Sequence, residues 1–265
     1  MDKKLWEYIL QVKTKAPLVQ NITNFVVMNN TANALLAVGA SPIMAHAHGE
    51  LEEMANICQS LVVNIGTADD YWSDSMIKAA GTASALKKPW LLDPVGAGAT
   101  SYRDSLLREL LKYRPSVIRG NASEILALAK HNLSRTKGVD STASSNEAVE
   151  AGRYLNESVG AIVCISGATD IVIDGKREYH ISNGDPLMTR VTGLGCSSSA
   201  VLGAFIAVAD DFAAATVAGT ALFSVAGELA AKSSAGPGSL QVALLDKLFS
   251  ITESEFKHTL KLEIK

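Results

Sequence analysis

Residues 90–118 read WLLDPVGAGATSYRDSLLRELLKYRPSVI, and this stretch shows the organisation of the chain most clearly. Trp90 to Val95 is an apolar run that closes with Asp-Pro-Val before a glycine, as strand ends do. Ser101 to Tyr113 has apolar residues at helical spacing, and Ser116 to Ile118 is a second short β-branched run. A strand, a helix and a strand in this order predict a parallel βαβ unit.

The same alternation extends through most of the chain. Further apolar runs predict strands at Leu61 to Ile65, Ala161 to Ile165 and Ile171 to Ile173. Helical patterns predict helices at Leu5 to Lys15, Ala32 to Val38, Ser73 to Lys87, Ala122 to Ala129 and Ser145 to Ser158. We therefore expect an α/β fold, with a mostly parallel sheet covered by helices on both faces. In such a fold, ligands bind beyond the carboxyl ends of the strands.

The composition is that of a globular α/β protein. The chain has 265 residues, of which 48% are hydrophobic and 19% are charged, and its formal net charge is -3. This size and composition allow one large core, and we expect residues 1–265 to form one domain. The small net charge, without long runs of either sign, gives no footprint for nucleic acid or for an anionic membrane surface, and we expect neither partner.

The cysteines and the longest apolar runs point to a cytoplasmic protein. Cys58, Cys164 and Cys196 lie at no metal-ligand spacing and form no disulfide framework, which favours a reducing compartment. The first residues lack the pattern of a signal peptide. The apolar runs from Ser197 to Ala209 and from Phe212 to Gly227 are each shorter than the ~20 residues of a spanning helix, and we interpret them as two buried helices.

The segment Val191-Thr192-Gly193-Leu194-Gly195-Cys196 is the sharpest candidate for a phosphate site. The P-loop and dinucleotide fingerprints are absent from the sequence, so a nucleotide needs another cradle. A glycine-rich turn that opens a helix directs free amide groups at one small volume, where an anion is stabilised. We expect the same amides to lower the pKa of Cys196 from the ordinary thiol value of about 8.5. A turn needed only for helix packing, with Cys196 as a small buried hydrophobe, remains the alternative.

Polar residues also follow two neighbouring predicted strands. Asp93 closes one strand before a glycine loop, which places its carboxylate at the crevice. Arg119-Gly120-Asn121-Ala122-Ser123-Glu124 follows the next strand and begins a helix. Carboxylates with water and phosphate oxygens are the usual ligands of Mg²⁺, so Asp93 and Glu124 are candidate metal ligands. An ordinary capping box accounts for Asn121 and Glu124 equally well.

Two further motifs have simple structural interpretations. Ser166-Gly167-Ala168-Thr169-Asp170 joins two predicted strands, which favours a tight turn. His46-Ala47-His48 would place two imidazoles on one face of a strand. Because the sequence offers no third ligand at a recognisable spacing, a metal site at these histidines is not favoured.

Taken in order, these segments resemble the hydroxyethylthiazole kinases of the ribokinase-like superfamily. The resemblance is carried by Gln20-Asn21-Ile22-Thr23-Asn24-Phe25-Val26, Gly39-Ala40-Ser41-Pro42-Ile43-Met44, Asp93-Pro94-Val95-Gly96-Ala97, Arg119-Gly120-Asn121-Ala122-Ser123-Glu124, Lys137-Gly138-Val139-Asp140-Ser141 and Thr192-Gly193-Leu194-Gly195-Cys196. It implies a three-layer ribokinase-like fold. It also implies ATP-dependent, Mg²⁺-assisted phosphorylation of the side-chain hydroxyl of 4-methyl-5-(2-hydroxyethyl)thiazole, a step of thiamin salvage.

The resemblance implies roles for individual residues. Cys196 stands at the catalytic position, and Arg119 and Ser166 stand at ATP contacts. Met44 and Gly193 stand at thiazole contacts. Position 166 has Ser where the family pattern often has Thr, so the hydroxyl is kept. The family is also homotrimeric, with substrate sites between neighbouring subunits, and we expect the same here.

An uncharged thiazole requires apolar walls with a few polar contacts. Val26, Val27 and Met44 are candidate walls, and Asn24 is a candidate polar contact. Two other functions stay open. One is a different small-alcohol kinase of the same superfamily, such as a hydroxymethylpyrimidine kinase. The other is a non-catalytic thiazole- or nucleotide-binding sensor, although a sensor has no need of the candidate catalytic and metal-binding residues.

Overall fold

The computed structural model describes residues 2–132, 145–175 and 177–265. Its helices are α1 (Asp2–Lys15), α2 (Met28–Ala37), α3 (Leu51–Ile57), α4 (Asp70–Ala85), α5 (Ser101–Leu111), α6 (Ala122–Asn132), α7 (Ser145–Val159), α8 (Leu194–Ala207), α9 (Phe212–Ala231), α10 (Pro237–Ser250) and α11 (Glu253–Thr259), with a 3₁₀ helix at Pro186–Arg190. Its strands are β1 (Leu18–Ile22), β2 (Ser41–Ile43), β3 (Ser60–Asn64), β4 (Trp90–Asp93), β5 (Val117–Asn121), β6 (Ile162–Ser166), β7 (Asp170–Asp174), β8 (Arg177–Ile181) and β9 (Leu262–Ile264).

The described residues form one sheet of nine strands in the order β2-β1-β3-β4-β5-β6-β7-β8-β9. Neighbours from β2 to β6 in this order pair in parallel. The pairs β6–β7, β7–β8 and β8–β9 are antiparallel. The parallel part therefore has the carboxyl ends of all its strands at one end of the sheet, where the polar residues singled out above were expected.

Helices cover both faces of this sheet. On one face, α1, α2 and α8 to α11 pack against sheet residues that include Val62 and Leu91. On the other face, α3 to α7 pack against residues that include Val63 and Leu92. Successive side chains of a strand point to opposite faces, so each apolar run supplies both cores. The predicted three-layer α/β arrangement, with a mostly parallel central sheet, is confirmed.

The predicted elements are present, with ends shifted by a few residues. The quoted stretch contains β4, α5 and β5 and forms the expected parallel unit with β4 beside β5. The sequence analysis did not predict β1, β2, β8 and β9. Strands β2 and β9 have only three residues each, too few to show a period. Residues 137–141, one of the segments that carry the family resemblance, lie outside the described residues.

The two predicted apolar helices are α8 and α9, and both are buried. Helix α9 packs against α1, α8 and α10, and α8 packs against α2 and the strands β1, β3 and β4. Among the described residues, Phe212–Ala231 is the one helix long and apolar enough to cross a membrane, with 20 residues. It is longer than the predicted run, but 83% of its 18-residue apolar stretch is buried inside the protein. It is therefore a core helix of this fold.

Candidate active site

The carboxyl ends of the parallel strands bring polar side chains together. These are Asn24 just after β1, Asn64 at the end of β3, Asp93 at the end of β4, Arg119 in β5 and Ser166 at the end of β6. All of them except Ser166 are buried. Because α8 packs on β1, β3 and β4, its first turn lies at the same end of the sheet and adds Cys196 to the group.

A chain of hydrogen bonds connects Cys196 to Asp93 through two asparagine side chains. Nδ2 of Asn24 lies 2.8 Å from Oδ1 of Asn64 and 3.6 Å from Sγ of Cys196. Nδ2 of Asn64 donates to Oδ2 of Asp93 at 2.7 Å. The sequence analysis missed Asn64. A signal was available, because Asn64 is a polar residue near the end of the run Leu61 to Ile65 and pairs in register with Asp93.

The helix that carries Cys196 starts from a glycine with positive φ. Gly193 has a φ of 80°, forms the N-cap of α8 and provides no side-chain cap. A Cβ atom at Gly193 would lie 2.5 Å from Cγ1 of Val27, far too close for a side chain. Both observations require glycine. The amides of Leu194, Gly195 and Cys196 lie in the first turn, where N–H groups lack intrahelical acceptors, so they are available to a ligand.

The expectation that the pKa of Cys196 is low was wrong. Burial and the charge of Asp93 raise the pKa of Cys196 to about 11, although hydrogen bonds with Asn64 and Asn24 and the charge of Arg119 act in the opposite direction. A helix start favours a thiolate in partly exposed, electropositive surroundings. Here burial removes water and a carboxylate lies nearby, so Cys196 is a protonated thiol at neutral pH.

Asp93 is a buried carboxylate that titrates near neutrality. Burial raises its pKa to about 6, and the charge of Glu124 acts in the same direction. The charge of Arg119 and hydrogen bonds with Ser199 and Asn64 lower the pKa. At neutral pH the carboxylate is therefore mostly ionised. A carboxyl group perturbed in this way at the end of a sheet is typical of a functional site.

Arg119 connects the strand ends to the first turn of α8. Its Nη1 donates to the carbonyl oxygen of Gly195 at 3.0 Å and lies 3.4 Å from Oγ of Ser199. Its Nε is buried and, in the part of the chain that the structure describes, has no hydrogen-bond partner. A buried donor without an acceptor costs about 1–3 kcal/mol, so a bound anion would be stabilised at this guanidinium.

A cavity of about 610 Å³ opens beside Arg119. Ser166 lies in its wall, so both predicted ATP contacts border the same space. Met188, Leu194 and Phe223 supply an apolar part of the lining. The volume is within the range of about 300–1,000 Å³ of small-molecule sites. The sequence analysis did not predict the wall formed by residues 182–189, because that loop carries no recognisable motif.

The model of the hydroxyethylthiazole kinase family matches residues 9–254. The chain belongs to the hydroxyethylthiazole kinase family. The hydroxyethylthiazole kinase of Syntrophus aciditrophicus (strain SB) is 53% identical over 258 residues, which cover 97% of this chain and 96% of that protein. The solved structure of the hydroxyethylthiazole kinase protein from Pyrococcus horikoshii OT3 has a TM-score of 0.93 at 42% identity and covers 99% of both chains. The predicted family and enzyme class, a phosphotransferase, are confirmed.

The fold of this chain is shared more widely. The pyridoxal kinase from Staphylococcus aureus, solved in complex with AMP-PCP and pyridoxal, has a TM-score of 0.64 over 94% of this chain and 98% of that chain. The two sequences are only 14% identical, so this likeness shows the fold alone. It confirms the predicted ribokinase-like architecture.

Glu124, a predicted metal ligand, forms a capping box at the start of α6. Its Oε2 accepts the Asn121 amide at 2.8 Å, and Oδ1 of Asn121 accepts the Glu124 amide at 3.0 Å. Its Oε1 accepts the Gly96 amide at 3.1 Å, which also holds the loop after β4. Each oxygen has one protein donor and keeps a second lone pair. Glu124 therefore caps α6, and the second lone pair of each of its oxygens is still available to a metal ion.

The donor set around Asp93 suits a metal ion that is shared with a substrate. Among the described residues, no group of three or more His, Cys, Asp or Glu side chains is placed to hold a metal ion. Mg²⁺ commonly binds through one or two carboxylates, water and substrate phosphates, without an all-protein cage. The charge of Glu124 raises the pKa of Asp93, so the two carboxylates act on the same region at the ends of β4 and β5.

The predicted thiazole contacts lie toward one side of the sheet. Asn24 lies at Cys196, and Gly193 begins the helix that carries it. Met44 follows β2, an edge strand of the sheet, and is half-buried. Strand β2 pairs directly with β1, the strand that precedes Asn24. Three strand spacings, roughly 14 Å, separate β2 from the strand of Asp93. Met44 therefore lies on the side of the sheet that carries Asn24, away from Asp93.

The two histidines near Met44 contact aromatic rings. The ring of His46 lies 3.8 Å from that of Trp72, and the ring of His48 stacks on Tyr71 at 4.2 Å between centroids. The segment lies outside the strands, so the shared strand face considered for a metal site does not exist. The histidines pack against the aromatic side chains of α4.

Proposed function

We propose that this chain transfers the γ-phosphoryl group of ATP to the hydroxyl of 4-methyl-5-(2-hydroxyethyl)thiazole, a step of thiamin salvage. The position of Arg119 supports this most strongly. Its guanidinium borders the cavity of about 610 Å³ and also holds the carbonyl of Gly195, the residue before Cys196. A phosphate donor in the cavity and an alcohol at Cys196 would therefore meet at the first turn of α8.

The nucleotide half-site, which we define by Arg119, Ser166 and the cavity beside them, is suited to ATP. Nε of Arg119 has no hydrogen-bond partner among the described residues and is available to a phosphate oxygen. The Ser166 hydroxyl and the amides of the first turn of α8 are further donors on the same side. Because no side chain caps α8, its positive end is open to an anion.

Asp93 and Glu124 are the residues that would hold Mg²⁺, directly or through water. When bound, the ion would neutralise part of the phosphate charge. Asp93 is mostly ionised at neutral pH because its pKa is about 6. Asn64 donates to Oδ2 of Asp93, and this bond fixes the orientation of the carboxylate toward the site.

The acceptor half-site, which we define by Asn24, Gly193 and Cys196, would orient the alcohol. The thiol of Cys196 is protonated at neutral pH. It would therefore orient the hydroxyl of the alcohol and would not act as a thiolate base. Nδ2 of Asn24, bonded to Asn64, keeps the sulfur in place. Phosphoryl transfer passes through a loose transition state, so alignment and charge stabilisation contribute most of the catalysis.

The reaction makes a bond from the alcohol oxygen to the γ-phosphorus and breaks the bond from that phosphorus to the β-phosphate oxygen, so ADP leaves with the bonding electrons. Arg119 and the amides of the first turn of α8 stabilise the charge on the transferring group. The alcohol proton becomes acidic late, as its oxygen bonds to phosphorus, and passes to solvent. No strong base is therefore required at Cys196.

A neighbouring subunit would complete the thiazole pocket, and we propose a homotrimer with sites between subunits. Val27 is buried against Gly193, but Phe25 and Val26 are 56% and 62% exposed beside it. Exposed apolar residues next to a site indicate a surface that is covered by a partner. Met44 follows the edge strand β2 and is half-buried, so it too is accessible to a second subunit.

The remaining proposals concern the chain as a whole. We propose that residues 1–265 act as one kinase domain, since one sheet runs through the described residues from β1 to β9. We also propose a cytoplasmic location. All three cysteines are free, and Cys196 needs a reducing compartment to remain a thiol.

A coupled ADP-release assay with the purified chain tests the reaction. Thiazole alcohol, hydroxymethylpyrimidine and ribose are offered separately with ATP and Mg²⁺, and phosphate transfer to the alcohol is checked by mass spectrometry. We expect thiazole alcohol to be preferred by at least about 100-fold in kcat/KM, because a pocket shaped for one ring excludes the others. Preference for the pyrimidine would support the alternative kinase, and binding of ATP without ADP release would support a sensor.

A further inference from the structure

Asp170 is a buried carboxylate in the wall of the nucleotide half-site that the mechanism above does not use. It is the first residue of β7, is 9% exposed and borders the same cavity as Arg119 and Ser166. An acid beside the proposed phosphate site is unfavourable unless its oxygens are directed elsewhere. The contacts of Asp170 show where they are directed.

Both oxygens of Asp170 accept hydrogen bonds from the protein. Oδ1 accepts the amide of Gly167 at 3.1 Å, across the turn between β6 and β7. Oδ2 accepts the hydroxyl of Ser224 at 2.7 Å, from the buried helix α9. The carboxylate therefore ties the turn directly after Ser166 to a core helix.

This tie determines the position of the turn. Ser166 pairs with Asn121 at the end of the parallel sheet, and after it the chain reverses to begin β7. Gly167 and Ala168 in this turn border the cavity. Backbone of a short turn at a ligand site needs such anchoring, because a shift of the turn would move both the Ser166 hydroxyl and the neighbouring amides away from the ligand.

Asp170 and Arg119 also interact through their charges. Burial raises the pKa of Asp170, whereas the charge of Arg119, the Ser224 hydroxyl and the Gly167 amide lower it. The carboxylate therefore attracts the guanidinium from the protein side of the cavity, while a ligand anion would attract it from the other side. Hydrogen bonds to a charged group are among the stronger ones in proteins, so the bonds from Gly167 and Ser224 to Asp170 can hold the turn in a fixed geometry.

We propose that Asp170, supported by Ser224, is a positioning residue of the nucleotide half-site. It holds the Ser166–Gly167 turn, which shares the cavity wall with Arg119, in the arrangement that receives the phosphates of the nucleoside triphosphate. It does not touch the thiazole alcohol. This inference rests on the proposed function of the cavity, so its test separates the two.

The test compares Asp170→Asn and Ser224→Ala with a matched control, Asp174→Asn. The control makes the same change at the other end of the same strand, four residues or roughly 13 Å away. For Asp170→Asn, we expect the KM for ATP to rise about tenfold or more. The new side-chain amide would place an N–H group opposite one of the two donors that the carboxylate now accepts from, and two donors do not form a hydrogen bond. We expect Ser224→Ala to raise the KM for ATP by a smaller factor. The KM for thiazole alcohol should stay close to wild type in both variants.

Calorimetric binding of the non-hydrolysable triphosphate AMP-PCP gives a second readout that does not need turnover. Wild type that binds no AMP-PCP would overturn the proposed function itself. Wild type that binds it, with Arg119→Ala weakened but Asp170→Asn and Ser224→Ala unchanged, would overturn the positioning role alone. If Asp170→Asn does not fold, Ser224→Ala decides, since it leaves the carboxylate and the Gly167 contact intact. Equal losses for ATP and thiazole alcohol would also contradict the proposal.

Discussion

Nη1 of Arg119 lies 3.0 Å from the carbonyl oxygen of Gly195, although the two residues are 76 positions apart in the chain. Arg119 belongs to β5, and Gly195 belongs to the first turn of α8, directly before Cys196. This bond sets the spacing between the cavity that Arg119 borders and the thiol. A change at Arg119 should therefore disturb the alignment of both substrates.

Arg119→Ala is expected to lower kcat/KM for ATP by about 100-fold or more, because it removes the donor that stabilises the transferring charge. Arg119→Lys should fall between Ala and wild type, since lysine keeps the charge but not the planar fork. Steady-state kinetics on both variants measure this. Arg108→Ala, at an exposed position of α5, is the control and should behave as wild type. An Arg119→Ala enzyme with wild-type ATP kinetics would contradict the assignment.

Substitutions of Cys196 should show an order that depends on mechanism. Cys196→Ala should be impaired but active, because Arg119 and the amides of α8 remain. Cys196→Asp should keep or exceed wild-type activity, since a carboxylate can accept both the proton and the hydrogen bond from Asn24. Cys196→Ser should resemble Ala, because the shorter bond to oxygen keeps the hydroxyl from reaching the position of the sulfur. General-base assistance, which only the Asp variant would add, is worth about 10²- to 10⁴-fold, and a loose transition state should use the lower part of this range.

Single-turnover rates of the three Cys196 variants measure this order, and mass spectrometry of the enzyme after incubation with ATP alone checks for a phosphorylated cysteine. A covalent mechanism requires that phosphoenzyme to accumulate and both Asp and Ala to be inactive. An inactive Cys196→Asp with normal folding and normal ATP affinity would falsify the orienting role.

The substitution Glu124→Gln tests whether Glu124 only caps α6 or also binds a metal ion. Loss of a capping interaction costs about 1 kcal/mol of stability and should leave turnover at saturating Mg²⁺ unchanged. We expect a lower turnover in addition, because glutamine carries no charge for the ion. Asn121→Ala is the matched control, since it breaks the other half of the same capping box. Equal melting temperatures and equal turnover for the two variants would make Glu124 a cap only.

Asp93 should make activity and stability depend on pH in opposite ways. Its pKa of about 6 in the folded chain lies above the ordinary value of 3.8. As pH rises through this window, the unfolded chain loses the proton first, so Asp93 lowers the free energy of unfolding, by about 1.4 kcal/mol for each unit of the shift. Activity should instead fall below pH 6, because the ionised carboxylate is required.

Chemical denaturation of wild type and Asp93→Asn between about pH 4 and pH 7 measures the stability effect. The difference in unfolding free energy between the two proteins should change across this range and be constant above it. The pH profile of wild-type kcat/KM should show an acidic limb near 6. A difference that does not vary with pH would mean that Asp93 titrates normally.

The exposed apolar residues beside the site should be an oligomer interface. Val26→Glu is expected to dissociate the homotrimer and to raise the KM for thiazole alcohol, because a buried glutamate is strongly unfavourable at an interface. Val242→Glu, on α10, is the control, since both valines are 62% exposed in the single chain. Light scattering with activity assays measures both effects. A fully active wild-type monomer of 27.9 kDa would refute the trimer.

Much of the fold could be predicted from the sequence because its signals are local. The run before Asp93 is apolar on both faces of a buried strand, and the helical spacing after Ser101 indicates the next element. Glycine at 193 was predicted to open a helix, and its φ of 80° bears this out. Strand β2 was missed because three residues show no period.

The site itself depended on distances between segments. The sequence by itself determined which chemical groups follow which strands, since Asp93, Arg119 and Ser166 each close an apolar run. Only the tertiary structure decided that Asn64 joins Asp93 to Cys196, that Asp170 holds the turn after Ser166, and that the Cys196 thiol stays protonated. The physical reason is that burial and charge act through space. The pKa of a group depends on neighbours that are far away along the chain, and no local pattern records them.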